Sequence, residues 1–116
     1  MIITTAPLAQ FLNGAQDFIN AYKSAYNTGP GPYSVYEYDA VKVVAQAIQN
    51  AGSADPKQIV QSLHNIKDFH GLTGNITFDN KGDRANPVYI TLIVKDGQFA
   101  AYMKLDANGQ WVPAAQ

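Results

Sequence analysis

The spacing of apolar residues changes once along the chain, and this change constrains the fold more than any other feature. Before Gly71, apolar residues recur every three or four positions, the period of an amphipathic helix. After Gly71 they alternate with other residues, the period of a strand. The sequence therefore predicts an α/β chain with three helices first, followed by a C-terminal set of short strands and a hairpin.

The first and the last of the three predicted helices differ in how clearly the sequence marks their start. The first covers residues 8–26 and follows an extended segment at residues 2–5, with Asn13-Gly14 weakening its first turn. The last begins with Asp55 as N-cap and Pro56 at the first helical position. Its buried face is predicted to consist of Ile59, Val60, Leu63 and Ile66.

The helix between them is apolar over most of its circumference. Ser34 and Glu37 form a capping-box pattern, with Ser34 as the N-cap, and Asp39 adds negative charge in the first turn, near the positive end of the helix dipole. Its core-facing residues are predicted to be Val41, Val44, Ala45 and Ile48, with Ala40, Val43 and Ala47 close behind. So broad an apolar surface indicates contact with neighbours on more than one side.

A Gly-Pro-Gly-Pro sequence at residues 29–32 separates the first two helices. Two prolines flanking a glycine make a stiff, non-helical connector. The segment is either a crossing between two packed bodies or a simple loop between helices.

Strand and turn signals fill the part of the chain after Gly71. They are, in order, a short strand at 76–78, a longer strand at 88–95, a hairpin turn at Asp96-Gly97, a strand at 98–105, and a turn at Asn108-Gly109 before Trp111.

The acidic segment at residues 79–83, Asp-Asn-Lys-Gly-Asp, has the composition of a metal-binding loop. A calcium loop of the EF-hand type needs oxygen ligands at alternate positions and a glutamate at the twelfth. Counted from Asp79, the third position is Lys81 and the twelfth is Ile90, and neither can serve. Asp, Asn and Gly are also the residues that tight turns favour. We therefore expect a turn and no metal.

Composition and motif content exclude several functional classes. The net charge is −1 and the charges are scattered, so no basic stripe is available for nucleic acid. The chain has no cysteine, and His64 and His70 are its only histidines. The sequence contains neither a Gly-x-Ser-x-Gly elbow nor a glycine-rich phosphate loop. These features predict a chain without catalytic residues, metal or cofactor.

Three tyrosines, Tyr33, Tyr36 and Tyr38, follow the Gly-Pro-Gly-Pro connector. Aromatic side chains beside a crossing between lobes are well placed to line a ligand cleft, because each offers an apolar face and a polar tip. The alternative is that all three pack against the connector and hold its angle. We name Tyr33 and Tyr36 as the candidate ligand-binding residues.

The motifs of the chain, taken in order, resemble those of a known family. They are Gly-Pro-Tyr at 31–33, Tyr-Asp-Ala at 38–40, Ala-Gly-Ser at 51–53, Gly-Asn-Ile-Thr-Phe-Asp at 74–79 and Lys-Gly-Asp at 81–83. In this combination they resemble the C-terminal third of the periplasmic solute-binding proteins for branched-chain amino acids, the Leu/Ile/Val-binding family of ABC importers. The resemblance covers essentially the whole chain.

The resemblance implies a fragment of a two-lobed periplasmic-binding-protein fold that closes on its ligand by hinge bending. Residues 1–32 would be a piece of the C-terminal lobe that ends in a crossing segment. Residues 33–87 would belong to the N-terminal lobe, and residues 88–116 would return toward the C-terminal lobe. We expect the three pieces to behave as one folded unit in this chain.

The same resemblance implies an amino acid ligand, the membrane subunits of an ABC importer as partners, and a periplasmic or extracellular location. The first residues show no signal-peptide pattern. Most of the family's ligand contacts would lie outside this chain, so we expect it to bind amino acids weakly or not at all.

The apolar surfaces of the predicted helices also bear on self-association. Helices shaped to cover a larger sheet leave apolar stripes exposed, and each large aliphatic side chain in water forgoes roughly 1.5–3 kcal/mol. We therefore expect copies of the chain to associate, with strand exchange as one possible route. The alternative function is a free-standing α/β protein-interaction domain that binds no small molecule.

Overall fold

Helices occupy the first part of the chain and strands the second, apart from one strand at the start. The computed structural model describes residues 1–106 and 108–114. The helices are α1 (Gln16–Tyr26), α2 (Ser34–Ala51) and α3 (Pro56–Asn65). The strands are β1 (Ile2–Thr5), β2 (Phe69–Gly71), β3 (Gly74–Ile76), β4 (Ile90–Lys95), β5 (Gln98–Leu105) and β6 (Trp111–Pro113). The predicted α/β class is confirmed, and so is the succession of three helices followed by short strands, whereas β2 was not predicted.

The first helix begins at Gln16 rather than at residue 8. A short 3₁₀ helix at Ala9–Phe11 occupies the predicted first turn, and Gly14 then takes a positive φ of 85°. A left-handed residue cannot continue a right-handed helix, so the regular helix starts only after it. The helix ends at Tyr26, because the next residue, Asn27, also takes a left-handed conformation.

The two predicted N-caps have opposite outcomes. Asp55 is confirmed, since its carboxylate accepts hydrogen bonds from the backbone N–H groups of Lys57 and Gln58 at 3.0 and 3.1 Å. The capping box at Ser34 is wrong, because Ser34 is already the first residue of α2 and Tyr33 precedes it without a side-chain cap. Tyr33 has helical backbone angles and its carbonyl accepts from the N–H of Glu37, so the helical path starts one residue earlier than the pattern suggests.

The predicted buried face of α2 is wrong at its four main positions and at Ala40, and it is confirmed at Val43 and Ala47. The residues that are buried are Val35, Asp39, Val43 and Ala47. Val41, Val44 and Ile48, which were expected to face the core, are exposed. Because apolar residues surround most of the helix, the pattern alone could not show which side would meet α3.

Two clusters of buried side chains hold the helices together. One joins α2, α3 and the β2–β3 hairpin through Val43, Ala47, Ile66 and Ile76, with Ile59 and Leu63 packed against it. The other joins the 3₁₀ helix, α1 and the start of α2 through Ala9, Ile19 and Val35. The predicted face of α3 is thus confirmed except at Val60, which is 53% exposed.

The larger sheet is antiparallel, with the strand order β1-β4-β5-β6. The first strand of the chain therefore pairs with β4, and Ile3 lies opposite Leu92. Asp96 and Gly97 both have positive φ, at 52° and 76°, and confirm the predicted two-residue hairpin turn.

Two strand boundaries differ from the predictions. β4 begins at Ile90, two residues later than expected, and β3 ends at Ile76. Phe78, expected to continue that strand, instead pairs with Arg84 as an isolated bridge.

The molecule is flat for its length. Its extents are 51 × 37 × 20 Å and its radius of gyration is 16.1 Å, against about 13 Å for a globular domain of this length. Its accessible surface is 7974 Å², whereas a globular monomer of 12.6 kDa would expose about 6,200 Å². The chain therefore exposes about 1,800 Å² more than a monomer of this mass usually does.

Candidate functional site

The acidic segment at residues 79–83 forms a turn, as predicted. The carboxylate of Asp79 accepts hydrogen bonds from the N–H groups of Lys81 and Asp83 at 2.8 and 2.9 Å. Gly82 takes a φ of 90°, which glycine adopts without strain. Across residues 1–106 and 108–114, no group of three or more His, Asp and Glu side chains could hold a metal ion.

The turn presents Arg84 to the β2–β3 hairpin. One guanidinium nitrogen, Nη1, donates to the Thr73 hydroxyl at 3.0 Å. The other, Nη2, donates to the carbonyl oxygens of Thr73 at 2.7 Å and Asn75 at 3.2 Å. Arg84 Nε is buried and has no hydrogen-bond partner among the described residues. Burial lowers the pKa of the Arg84 guanidinium, while interactions with Tyr36 and Asp39 act in the opposite direction.

Asp39 binds the same hairpin from the side of α2. It is 2% exposed, and its carboxylate accepts from the N–H groups of Leu72 at 2.9 Å and Thr73 at 2.8 Å. The Thr73 hydroxyl also donates to it at 2.7 Å. Thr73 thus joins Asp39 to Arg84, and we call these three residues the clasp. The clasp ties α2 to the hairpin and to the turn at residues 79–83, which Arg84 follows.

Sequence reasoning missed the clasp. It assigned Asp39 to the helix dipole, although the residue is buried and bonds to residues 33 and 34 positions away. One signal was available: Asp39 lies at helical spacing between Val35 and Val43, so it shares their face. Close approach is also required on the hairpin side, since a Cβ added at Gly71 would lie 2.5 Å from an Asp39 carboxylate oxygen.

Tyr36, one of the two predicted ligand-binding residues, lies next to the clasp. Its hydroxyl donates to the carbonyl oxygen of Pro7 at 2.7 Å, which connects α2 to the segment after β1. Burial raises the pKa of Tyr36 to about 12; the charge of Asp39 adds to this effect and that of Arg84 opposes it. The polar tip of Tyr36 is therefore held inside the protein and stays protonated at neutral pH.

Tyr33, the other predicted residue, lies at the surface and is 72% exposed. Tyr38 belongs to a third environment, an open groove between α1 and α2. Its ring centroid lies 5.2 Å from that of Phe18, and the ammonium group of Lys42 lies 4.9 Å from it. The groove has a volume of about 470 Å³, and Phe18, Tyr22 and Tyr26 contribute most of its aromatic wall. The three tyrosines of the connector region therefore do not converge on one cavity.

The two histidines are also apart from each other. Nδ1 of His70 lies 2.8 Å from the Asn75 side-chain oxygen. His64 lines a shallow cavity of about 140 Å³ with Phe78 and Gly82. None of the helices in the described part of the chain is both long enough and apolar enough to cross a membrane.

The sequence and the fold both match known proteins. A family model described as periplasmic binding protein matches residues 1–98. Over 68 residues, the chain is 38% identical to the leucine-, isoleucine-, valine-, threonine-, and alanine-binding protein of Pseudomonas aeruginosa, an alignment that covers 59% of this chain and 18% of that protein.

Two solved structures extend the comparison to three dimensions. The leucine-binding protein LivK from Thermotoga maritima matches with a TM-score of 0.79 and 27% identity, over 93% of this chain and 31% of that one. The branched-chain amino acid transporter substrate-binding protein LivJ from Streptococcus pneumoniae, in complex with isoleucine, matches with a TM-score of 0.72 and 26% identity, over 86% of this chain and 29% of that one. The chain thus spans less than a third of the length of each protein that it matches here.

Proposed function

Because the chain belongs to the periplasmic binding protein family, we propose that it forms part of a solute-binding component of an ABC importer. The proposed solutes are branched-chain or related amino acids. The observation that carries the proposal is the agreement between two independent similarities, one in sequence to a binding protein for such amino acids and one in fold to a leucine-binding protein.

We assign residues 1–32 and 88–116 to one lobe and residues 33–87 to the other. The pairing of β1 with β4 supports this assignment, because it joins the beginning and the end of the chain in one sheet. The shared cluster of α2, α3 and the β2–β3 hairpin supports a separate origin for the middle segment. The connector at residues 29–32 then crosses from one lobe to the other.

Tyr33 and Tyr36 are the proposed solute-facing residues, with different tasks. Tyr33 is exposed beside the connector, so its ring is free to cover an aliphatic side chain of the solute. Tyr36 is anchored to Pro7 and fixes the start of α2 against the segment that follows β1. The charged groups nearby, Asp39 and Arg84, already bond within the clasp. The amino and carboxylate groups of the solute therefore need partners from elsewhere, and this chain alone should bind leucine weakly or not at all.

A chimera tests the proposal. Residues 1–98 replace the matching segment of the leucine-binding protein LivK from Thermotoga maritima, and leucine binding is measured by titration calorimetry. We expect the chimera to bind leucine, and Tyr33→Ala within it to weaken binding about tenfold, or roughly 1.4 kcal/mol. Tyr26→Ala, which truncates another exposed tyrosine, is the control and should leave affinity unchanged.

Two results would contradict the proposal. A chimera that folds cooperatively but binds no branched-chain amino acid would refute solute binding as the function of this segment. Micromolar binding of leucine by the 116-residue chain itself would refute the need for partners outside it.

Membership of the periplasmic binding protein family also supports proposals about the partners, the location and the kind of activity. We propose that the membrane subunits of an ABC importer are the partners, that the location is periplasmic or extracellular, and that the role is not catalytic. Cell fractionation with an antibody to the chain checks the location; recovery in the cytoplasmic fraction would contradict it.

An interaction domain remains the second candidate, because one face of α2 is apolar and exposed. A chimera that fails to bind leucine, together with cooperative unfolding of the 116-residue chain on its own, would favour this candidate.

A further inference from the structure

A single side-chain hydrogen bond joins the two proposed lobes. The Tyr36 hydroxyl donates to the Pro7 carbonyl oxygen at 2.7 Å, and it thereby connects residues 33–87 with residues 1–32. Every other side-chain hydrogen bond that the structure describes stays within residues 33–87 or within the flanking segments. Beyond the covalent connections and apolar packing, the relative position of the lobes therefore depends on this one directional contact.

Both partners of this hydrogen bond are held in place by their own lobe. Pro7 lies between β1, which is paired with β4, and the 3₁₀ helix. Tyr36 lies three residues before Asp39, whose carboxylate ties α2 to the β2–β3 hairpin. The Tyr36 ring also packs against a cluster of buried side chains to which both lobes contribute. Breaking the bond therefore releases two bodies from each other, and not only two side chains.

The bond lies on the side of α2 that carries Tyr33, the proposed solute-covering residue. Tyr33 has helical backbone angles, and three residues advance a helix by about 300°, so Tyr36 points within about 60° of Tyr33. Closing the lobes over a solute shortens distances on this side, and opening them lengthens these distances. An O–H···O hydrogen bond is rarely longer than about 3.0 Å. The bond of 2.7 Å therefore belongs to the closed arrangement and breaks when the lobes open.

We propose that this hydrogen bond is a latch: given the lobe assignment of the proposed function, Tyr36 stabilises the closed arrangement and slows release of the bound amino acid. Two-lobed binding proteins close around their ligands by hinge motion. A contact that is made in only one of two arrangements raises the population of that arrangement. Tyr36 is therefore a positioning residue that acts through the lobes, whereas Tyr33 acts on the solute.

The first test measures the arrangement of the lobes in the 116-residue chain. The chain has no cysteine, so Gln61→Cys on α3 and Gln98→Cys on β5, both at exposed positions, place one spin label on each lobe. Pulsed electron resonance on labelled chain, diluted with unlabelled chain, reports the distance between the two labels of one copy. We expect a narrow distance distribution when Tyr36 is present and a broader one in Tyr36→Phe.

Tyr38→Phe is the matched control for this substitution. It removes a hydroxyl from the same helix, about 160° around the helix axis from Tyr36, and keeps the ring whose centroid lies 5.2 Å from that of Phe18. Its distance distribution should match that of the chain with both tyrosines. Far-ultraviolet circular dichroism should show the same helix content in all three proteins.

The second test measures solute release in the chimera with the leucine-binding protein LivK. Stopped-flow kinetics should show that Tyr36→Phe speeds leucine dissociation about fivefold, the factor expected from the loss of one hydrogen bond. The association rate should change by less than about twofold, because most differences in affinity between related complexes lie in dissociation. Tyr38→Phe should change neither rate.

The two tests separate failure of the latch from failure of the proposed function. Identical distance distributions with and without the Tyr36 hydroxyl would overturn the latch. So would an unchanged dissociation rate in a chimera that binds leucine. A chimera that folds but binds no leucine would refute the proposed function instead, and the label distances would still decide whether Tyr36 holds the lobes together.

Discussion

The two faces of α2 differ in a way that hydrophobicity does not explain. The inner face consists of Val35, Asp39, Val43 and Ala47, and all four are buried although one of them carries a charge. The opposite side of the helix, which we call the outer face, consists of Tyr38, Val41, Val44, Ala45 and Ile48. It has no charged side chain, yet Val41 remains 68% exposed. The charged face is buried because the hairpin supplies hydrogen-bond donors for Asp39 at three points. Complementary partners, more than apolar content, decide which side of this helix is buried.

Removing the buried carboxylate of Asp39 from the inner face should lower the free energy of unfolding more than any other substitution proposed here. Asp39→Ala leaves the N–H groups of Leu72 and Thr73, and the Thr73 hydroxyl, without their acceptor. Buried donors without partners are costly, so we expect the free energy of unfolding to fall by about 3–5 kcal/mol. Urea denaturation followed by circular dichroism measures the loss. Asp39→Asn, which keeps one acceptor oxygen, should lose less.

A double-mutant cycle checks the close approach of Gly71 to the Asp39 carboxylate. Gly71→Ala alone should cost about 1–3 kcal/mol, because its Cβ would press on the Asp39 carboxylate. In the Asp39→Ala background the obstruction is gone and the cost should be smaller. Costs that simply add would contradict the contact.

Truncating one valine on each face of α2 should change the free energy of unfolding by different amounts, and the larger change is of intermediate size. Val43→Ala removes methyl groups from the cluster shared by α2 and α3, and we expect a loss of about 2 kcal/mol. Val41→Ala removes the same groups from the outer face and should change the free energy of unfolding by less than about 0.5 kcal/mol, measured at concentrations where the chain is monomeric. Equal losses at the two positions would abolish the distinction between the faces.

The smallest expected effect belongs to Tyr36, which connects the inner side of α2 to the chain near β1. Tyr36→Phe removes the hydrogen bond to Pro7 and should cost about 1 kcal/mol at pH 8. The pKa of Tyr36 is raised to about 12 in the folded protein, against about 10 in the unfolded chain. The unfolded chain therefore releases this proton first, and the wild-type protein should lose its advantage as the pH rises from 10 to 12.

Stability curves of the two proteins across that pH range measure the effect of Tyr36, because contributions from other groups cancel in the difference. Tyr33→Phe, which removes an exposed hydroxyl, is the control and should change stability by less than about 0.5 kcal/mol. A difference between wild type and Tyr36→Phe that stays constant up to pH 12 would contradict the assignment.

Features that depend on near neighbours in the sequence were predictable. Asp55 caps α3 with partners two and three residues away, and Asp96-Gly97 turns the chain within its own hairpin. The turn at residues 79–83 likewise satisfies its own carboxylate. In each case the residues that determine the conformation are adjacent, so their side-chain preferences suffice.

Features that depend on distant partners were not predictable. The hydrogen-bond donors to Asp39 lie on the hairpin that follows α3, and no residue near Asp39 in the sequence indicates where those donors are. The choice of the inner face of α2 depends on the same long-range contacts. Tyr36 was identified as important beside the connector, but its bond to Pro7 joins residues 29 positions apart. Long-range tertiary contacts determine all three features: the partners of Asp39, the buried face of α2 and the hydrogen bond of Tyr36. The spacing of residues in the sequence does not specify such contacts.

The two edge strands of the larger sheet, β1 and β6, differ in how readily they could pair with a further strand. At one margin, β6 ends in Pro113, which lacks an N–H group and so resists the addition of another strand. At the other, β1 offers the uncharged sequence Ile-Ile-Thr-Thr, without proline. An extended segment from any other polypeptide could extend the sheet at β1 far more readily than at β6. Strand addition to this sheet would therefore have a preferred side, set by its first strand.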